Sequence, residues 1–239
     1  MEFISRIKTC ETREYVFFWE KYFNLKWEVD TLEFIKRNCD SNTHFYDIGS
    51  WIGPTALAAG AKGATVTAFE PDPKAYDELV KNIALNNFDI VAENKAVADK
   101  NITMNLHFDG AAGNSMSTLL KLQGGGSARV NCLSIDSLTP GAGKVKEVAK
   151  IDIEGFEYFL REDILLFVQR CSALNISLHP RAISGGKVML WIKTAYFVHK
   201  LSWRFKMSLF FHIKQQILIA KNIFLKRPVK NFSISLELD

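Results

Sequence analysis

The sequence predicts an α/β fold with a doubly wound, mostly parallel sheet, a helical cap at the N-terminus and a helical insertion near the C-terminus. Short runs rich in β-branched and aromatic residues alternate with helix-like segments along the chain. Glycines or carboxylates directly follow several of these runs. At 239 residues, the chain is long enough to bury one core of this kind. Because ligands of such sheets bind beyond the carboxyl ends of the strands, we expect the functional site there.

Residues 1–40 are predicted to form the helical cap, and residues 41–239 the domain that contains the sheet. The cap is rich in aromatic residues, for which packing on the sheet and lining a substrate site are the two alternatives. Its last helix is predicted to begin at Asp30, which can cap the helix, with Glu33 reaching back as in a capping box.

A glycine turn follows the first predicted strand, residues 44–48. Gly49 and Gly53 allow the backbone to turn sharply and allow a ligand to approach main-chain N–H groups. Pro54 suits the first turn of the helix that comes next. The order of strand, glycine turn and helix is typical of nucleotide-binding units.

An acidic residue ends the second predicted strand, residues 64–69. Glu70 lies 23 residues after Asp47, close to the roughly 20-residue offset at which a carboxylate reaches ribose hydroxyls in such units. The turn reads D-x-G-x-x-x-G rather than the dinucleotide pattern G-x-G-x-x-G. Asp47 would repel a pyrophosphate but attract a ligand that carries an amino group and a sulfonium. The pattern therefore favours S-adenosylmethionine over NAD.

The rest of the chain continues the alternation of strands and helices. We predict, in order, a helix at 71–87, strands at 90–97 and 102–108, a loop at 110–127, strands at 148–153 and 173–178, a basic helical insertion at 181–230 and a last strand at 232–238. The glycine- and serine-rich loop is either a lid beside the pocket or an ordinary solvated connection.

Acidic residues and a histidine follow two of these strands. Asp152 and Glu154 end the strand at 148–153, and His179 ends the strand at 173–178, so all three are expected at one edge of the sheet. A carboxylate or imidazole at this place can accept the proton of an alcohol that attacks a methyl group. Glu157 is expected to be only a partner of a helix dipole.

The histidine and cysteine spacings predict no structural zinc site. A loosely held divalent ion at Asp152 and Glu154 is left open. The four cysteines are scattered, which is typical of reduced residues in a cytoplasmic protein. Charged residues near the N-terminus, among them Glu2 and Arg6, argue against a secretory signal, so we expect the protein in the cytoplasm.

Ordered motifs between about residues 45 and 180 resemble the FkbM-type S-adenosylmethionine-dependent methyltransferases. They are DIGSWIG from Asp47, FEPDP from Phe69, the strand end at 94–97, GNSMST from Gly113, LSIDSL from Leu133, IDIEGFE from Ile151 and ISLHP from Ile176. One departure is Trp51, where the family more often has asparagine. The resemblance implies a Rossmann-like, class I methyltransferase fold with a seven-stranded, doubly wound sheet. It also implies methylation of hydroxyls, often on sugars or polyketides.

From these observations we expect a methyltransferase that moves a methyl group from S-adenosylmethionine to a hydroxyl of a sugar, in a glycan or lipid-linked glycan. The residues expected to bind the cofactor are Asp47, Gly49, Ser50, Gly53, Glu70, Pro71, Ala96, Val97 and Asp152. The residues expected to act in catalysis are Asp152, Glu154 and His179. The chain lacks both the Asn/Asp-Pro-Pro-aromatic turn and the proline-flanked cysteine of enzymes that methylate bases, so no nucleic-acid partner is expected.

The charge of the chain is unevenly distributed. Residues 181–230 hold 11 basic side chains and no acidic one. The basic positions Lys193, Lys200, Arg204, Lys214 and Lys221 fall along one side of a helix. No run of 18 apolar residues occurs. The segment 187–226 therefore either lies on an anionic membrane surface or shows a basic face to water. A second hypothesis follows, that of a catalytically silent, cofactor-binding adaptor that docks through these helices; the oligomeric state is not predicted.

Overall fold

The computed structural model describes residues 1–10, 12–122, 125–144, 146–180, 187–205, 219–220 and 232–237. The α-helices are α1 (Val16–Phe23), α2 (Val29–Asn38), α3 (Pro54–Ala61), α4 (Pro73–Ala84), α5 (Arg161–Phe167) and α6 (Lys187–Arg204). Short 3-10 helices cover Glu2–Arg6, Ile135–Ser137 and Phe156–Tyr158. The strands are β1 (Thr43–Ile48), β2 (Thr65–Phe69), β3 (Ile90–Glu93), β4 (Ala96–Ala98), β5 (Ile102–Phe108), β6 (Ser117–Thr118), β7 (Ser127–Ser134), β8 (Lys146–Ile151), β9 (Ala173–Leu178) and β10 (Phe232–Glu237).

A mixed sheet of six strands forms the centre, in the order β10-β9-β8-β1-β2-β3. The five strands from β9 to β3 are parallel, and β10 pairs antiparallel with β9 at the edge. The prediction of a sheet flanked by helices is confirmed, whereas the count of seven strands is not met within the described residues.

A second sheet contains four strands in the order β4-β7-β5-β6. The prediction of one strand at 90–97 is wrong, because this segment is divided between the two sheets. The chain turns at Asn94, whose side-chain amide donates to the carbonyl oxygens of Glu70 and Pro71 at 2.9 and 3.3 Å. β3 therefore continues the central sheet, while β4 pairs with β7.

The central sheet is buried on both faces, as parallel sheets are. Successive side chains of a strand point to opposite faces of the sheet and therefore belong to different hydrophobic cores. Phe45 lies in the core with α2 and α3, and Tyr46 lies in the core with α5 and α6. Val148 and Ala149 alternate in the same way. Helices thus cover both faces, which is the doubly wound arrangement that the sequence predicts.

The N-terminal cap packs against the start of α3. The fully buried Tyr22 of α1 donates its hydroxyl to the Pro54 carbonyl oxygen at 2.9 Å. The predicted cap of the next helix is wrong: α2 begins after Glu28, which has a left-handed backbone, and Asp30 lies inside its first turn. Thr31 donates to the Glu28 carboxylate at 3.1 Å, so the side chain that stabilises this end is Glu28.

Only part of the predicted basic insertion, residues 187–205 and 219–220, lies within the described residues. The apolar side of α6 is buried against the sheet through Phe197 and Leu201, and Phe205, directly after the helix, is buried in the same core. Lys214 and Lys221 lie outside the described residues, so the one-sided lysine pattern stays a prediction. Among the described helices, none is long and apolar enough to cross a bilayer.

We expect Leu57→Ala to lower the free energy of unfolding by about 2–5 kcal/mol, because Leu57 is fully buried in the core beneath α3. Leu85→Ala is the matched control, since Leu85 is 43% exposed and its loss should change the free energy by less than about 0.5 kcal/mol. Urea unfolding of both variants checks the prediction. Equal losses would mean that α3 does not form the core as described.

Candidate active site

A pocket of about 1030 Å³, partly open to solvent, lies at the carboxyl ends of β1, β2 and β8. The residues predicted to bind cofactor or to act in catalysis that line it are Gly49, Ser50, Glu70, Pro71, Ala96, Val97, Asp152 and Glu154. The cap contributes Phe18, Trp27 and Glu28 to the wall. Part of the aromatic cap therefore faces the pocket, and part packs in the core.

The glycine turn after β1 forms the floor of this pocket. Gly49 and Ser50 both donate their backbone N–H groups to the Phe69 carbonyl oxygen at 3.0 Å, which ties the turn to the end of β2. Gly49 has a φ of +84°, and a Cβ there would lie 1.9 Å from the carbonyl oxygen of Asp152. Only glycine fits, because the turn runs directly against the end of β8.

Glu70 lies at the end of β2 and is 6% exposed. Its Oε2 accepts from the Trp51 backbone N–H and its Oε1 accepts from the Asp72 backbone N–H, each at 2.8 Å. Burial raises the pKa of Glu70 to about 7, against these two hydrogen bonds. Each carboxylate oxygen has a second acceptor position, so Glu70 can also bind a pair of hydroxyls in the pocket.

Asp47 does not line the pocket. Its side chain is fully buried below the turn, where Oδ2 accepts from the Thr55 hydroxyl at 2.6 Å. Gly53, with a φ of +97°, lies at the start of α3, where a Cβ would be 2.6 Å from a methyl carbon of Leu79. Both residues shape the turn rather than present an atom to a ligand in the pocket.

A buried lysine, which was not predicted from the sequence, connects the glycine turn to Asp152. We call the edge of the sheet that carries Asp152 and Glu154 the acidic edge. Lys150 is 4% exposed, and its ammonium donates to the Gly49 carbonyl oxygen at 2.8 Å. It also lies 3.7 Å from Asp47 Oδ1 and 3.6 Å from Asp152 Oδ2. Burial lowers the pKa of Lys150, but the two carboxylates outweigh burial and raise the pKa above its ordinary value. Lys150 therefore stays charged. The only hint in the sequence is that this lysine stands between the apolar residues Ala149 and Ile151.

The structure brings the three predicted catalytic residues together. His179 Nε2 lies 3.5 Å from Asp152 Oδ1 and 3.3 Å from Glu154 Oε2. Glu154 has a φ of +51°, in the left-handed region that a non-glycine residue rarely adopts. His179 lies behind the two carboxylates, which line the pocket while His179 does not.

Glu157 has a larger part than the sequence predicts. It is fully buried and accepts from the His179 backbone N–H at 2.7 Å, with the ring Nδ1 3.1 Å away. It also accepts from the Gly155 backbone N–H at 2.8 Å. Burial lowers the pKa of His179, but hydrogen bonds to Glu154 and Glu157 outweigh burial and raise the pKa to about 11. Glu157 thus fixes the position of the imidazole instead of serving only a helix dipole.

Within the predicted loop at 110–127, the part around Gly113 is anchored beside the pocket. The Gly113 carbonyl oxygen accepts from the Tyr15 hydroxyl and from the Trp51 indole N–H, each at 2.9 Å. The Gly113 N–H donates to Asp72 Oδ2 at 2.5 Å, and the hydroxyl of Ser117 lies 3.3 Å from the same oxygen. The segment around Gly113 is therefore a fixed wall in this structure, and a role as a lid stays a prediction.

Comparison with known proteins gives one family and two relatives. A sequence model described as the methyltransferase FkbM domain matches residues 39–202, more than half of the chain. Hexuronic acid methyltransferase AglP of Haloferax volcanii is 24% identical over 158 residues, 65% of this chain and 64% of that protein. A tRNA (guanine(37)-N(1))-methyltransferase of Mycosarcoma maydis is 26% identical over 99 residues, 41% of this chain and 15% of that protein. The match spans less than two thirds of the length of either relative.

We expect Lys150→Met to lower the free energy of unfolding by about 3–5 kcal/mol, because it leaves the buried carboxylate of Asp47 without a cation. Lys146→Met, on the same strand, is the control: Lys146 and its partner Asp40 are about half exposed, so the loss should stay below about 1 kcal/mol. Urea unfolding at neutral pH measures both. A loss below 1 kcal/mol for Lys150→Met would contradict the assigned ion pairs.

Proposed function

The chain belongs to the FkbM methyltransferase family, and from this premise we propose that it transfers a methyl group from S-adenosylmethionine to a hydroxyl oxygen of a sugar, in a glycan or lipid-linked glycan. The observation that carries the proposal is that two groups of residues line one pocket. The glycine turn and Glu70 follow β1 and β2, and Asp152 and Glu154 follow the neighbouring β8. The first pair suits a nucleoside, and the second suits a hydroxyl group that must lose a proton.

The charge of the pocket supports this choice of methyl donor. Glu28, Glu70, Asp152 and Glu154 line it, while Lys150 is already engaged by two carboxylates and Lys95 pairs with Glu93 at 2.9 Å. An acidic pocket attracts the sulfonium and ammonium groups of S-adenosylmethionine and repels a pyrophosphate. The residues present therefore fit this cofactor better than a dinucleotide.

The walls of the pocket fit the remaining parts of the donor. Glu70 is placed to accept the two ribose hydroxyls with its free acceptor positions. Ala96 and Val97, both buried at the start of the second sheet, offer apolar surface to the adenine. The exposed backbone of the turn at Gly49 allows the methionyl part to approach closely.

The acidic edge supplies a proton acceptor, which methyl transfer to an alcohol needs. The hydroxyl oxygen forms a bond to the methyl carbon as the carbon–sulfur bond breaks, and S-adenosylhomocysteine leaves with both electrons of that bond. The hydroxyl proton passes to a carboxylate of the cluster, Asp152 or Glu154. His179, held by Glu157, keeps the two carboxylates in place. In-line alignment of oxygen, carbon and sulfur in the pocket lowers the barrier further.

The relatives guide the choice of acceptor. The name of the Haloferax volcanii protein states that it methylates a hexuronic acid, which supports a sugar as the acceptor class. The tRNA-modifying relative is similar over 15% of its length, and the prediction that nucleic acids are not substrates stands untested. Contact with a membrane through residues 187–226 likewise stays a prediction.

The experiment that tests the function supplies S-adenosylmethionine with a labelled methyl group and a pool of cell-derived glycans. We expect label in the glycan that survives mild alkali, because a methyl ether on a hydroxyl is stable where a methyl ester of a uronic acid is not. Label removed by alkali would correct the acceptor atom from hydroxyl to carboxyl. Label absent from glycans, in protein that binds the donor, would overturn the proposed acceptor class.

Glu70→Gln should weaken S-adenosylmethionine binding by roughly tenfold to a hundredfold, because losing a charged acceptor costs about 1.5–3 kcal/mol. Titration calorimetry measures the dissociation constant. Glu33→Gln, the same chemical change at an exposed pair with Lys36, should leave binding unchanged. Equal affinity of Glu70→Gln and the parent protein would remove Glu70 from the donor site.

Asp152→Asn should lower turnover by roughly two to four orders of magnitude, the range for losing a general base, with donor affinity nearly retained. Asp99→Asn is the control, because Asp99 is an exposed residue paired with Lys100. The rate of S-adenosylhomocysteine formation in the presence of acceptor checks both variants. An unchanged rate for Asp152→Asn would assign the proton to Glu154 or to water.

A further inference from the structure

We propose that Asp152, Glu154 and His179 form a binding site for one divalent metal ion at the edge of the pocket. The ligand atoms would be Asp152 Oδ1, Glu154 Oε2 and His179 Nε2, and one ligand atom from each of the three residues lies within 4.8 Å of the others. Within the part of the chain that the structure describes, no other three such side chains converge in this way. The site itself does not depend on the proposed function.

The imidazole is held as a metal-binding histidine is held. The His179 side chain is 8% exposed, and the fully buried Glu157 fixes it through both the ring Nδ1 and the backbone N–H. With Nδ1–H donated to Glu157, Nε2 faces Asp152 and Glu154, and an ion bound between them would replace the proton on Nε2. A carboxylate behind a ligating histidine is the usual second partner in metal sites.

An independent observation is the state of the Asp152 carboxylate. Oδ2 lies 3.6 Å from the ammonium of Lys150, whereas Oδ1 is buried and has no hydrogen-bond partner among the residues that the structure describes. A buried carboxylate oxygen without a partner is costly, and a bound cation removes this cost. The unpartnered oxygen is the one that faces His179 Nε2, at 3.5 Å.

The distances agree with coordination. Ligand atoms at right angles around a cation, with bonds of about 2.1–2.4 Å, lie about 3.0–3.4 Å apart. The separations of 3.3 and 3.5 Å between Nε2 and the two carboxylate oxygens are close to this range, so little movement is needed. Two carboxylates and an imidazole suit Mn²⁺ and similar first-row ions.

The open positions of the ion would face the pocket, because Asp152 and Glu154 line it while His179 lies behind them. This consequence rests on the proposed function: an acceptor hydroxyl bound to the ion would lose its proton more readily, and the second oxygen of Glu154 can receive it. A vicinal diol, which many sugars carry, can bind through both hydroxyls and be oriented by the ion.

The test measures the binding of Mn²⁺ alone to the full chain, without donor or acceptor. The loss of the electron paramagnetic resonance signal of free Mn²⁺ reports the binding. We expect saturation at one ion per chain, with competition by Zn²⁺. Glu154→Gln should weaken binding at least tenfold. Glu157→Gln, which among the three ligands contacts only His179, should weaken it by roughly tenfold to a hundredfold. Glu162→Gln, an exposed residue paired with Arg161, is the control and should bind as the parent protein does.

The measurement on the parent protein comes first. If neither Mn²⁺ nor Zn²⁺ binds saturably to the parent protein, the proposed site is wrong, whatever the variants do. Binding that persists unchanged in folded Glu154→Gln and Glu157→Gln overturns it as well, because the ion would then be held elsewhere. Retained melting temperature and donor affinity show that the variants are folded. Since no methyl transfer is measured, failure of the proposed function would leave this result intact, and the reverse also holds.

Discussion

The buried ammonium of Lys150 is the interaction on which the pocket depends. Asp47 and Lys150 are direct neighbours in the parallel pairing of β1 with β8, and Asp152 follows two residues later. Two carboxylates this close would repel each other in a region of low dielectric, and a single cation between them turns repulsion into attraction. Because the same ammonium donates to Gly49, it also fixes the floor of the pocket. The glycine turn and the acidic edge therefore form one unit.

The charge balance at this edge of the sheet explains why it should bind cations. Lys150 neutralises at most part of the charge on Asp47 and Asp152. His179 faces three carboxylates, those of Asp152, Glu154 and Glu157. An excess of negative charge in a partly buried place is unfavourable for the empty protein and favourable for a cationic ligand. The sulfonium of the proposed donor and the proposed metal ion would both relieve it, at different points of the same pocket. We therefore infer that the excess of carboxylates in this fold favours cationic ligands.

Much of the site could be predicted from the sequence because it depends on local patterns. Gly49 and Glu70 follow strands at spacings that chain geometry dictates, and both line the pocket. The roles of Lys150 and Glu157 could not be predicted in this way. Lys150 meets Asp47 only through the register of two strands that are a hundred residues apart in the chain, and Glu157 meets His179 only once β8 and β9 are paired. Register depends on the packing of the whole sheet, which no local pattern records.

The strand predicted at 90–97 failed for a related reason. Apolar residues stand at both ends of this segment, but Asn94 in its middle donates to the Glu70 carbonyl oxygen just after β2, and the residues that follow pair with β7. This division brings Ala96 and Val97 back over the pocket. The proposed donor site is thus built largely from backbone turns and strand ends, together with the side chain of Glu70. The proposed acceptor site depends on the side chains of Asp152 and Glu154. Side chains change more readily than a fold does, so relatives can share the donor site and still differ in the acceptor they methylate.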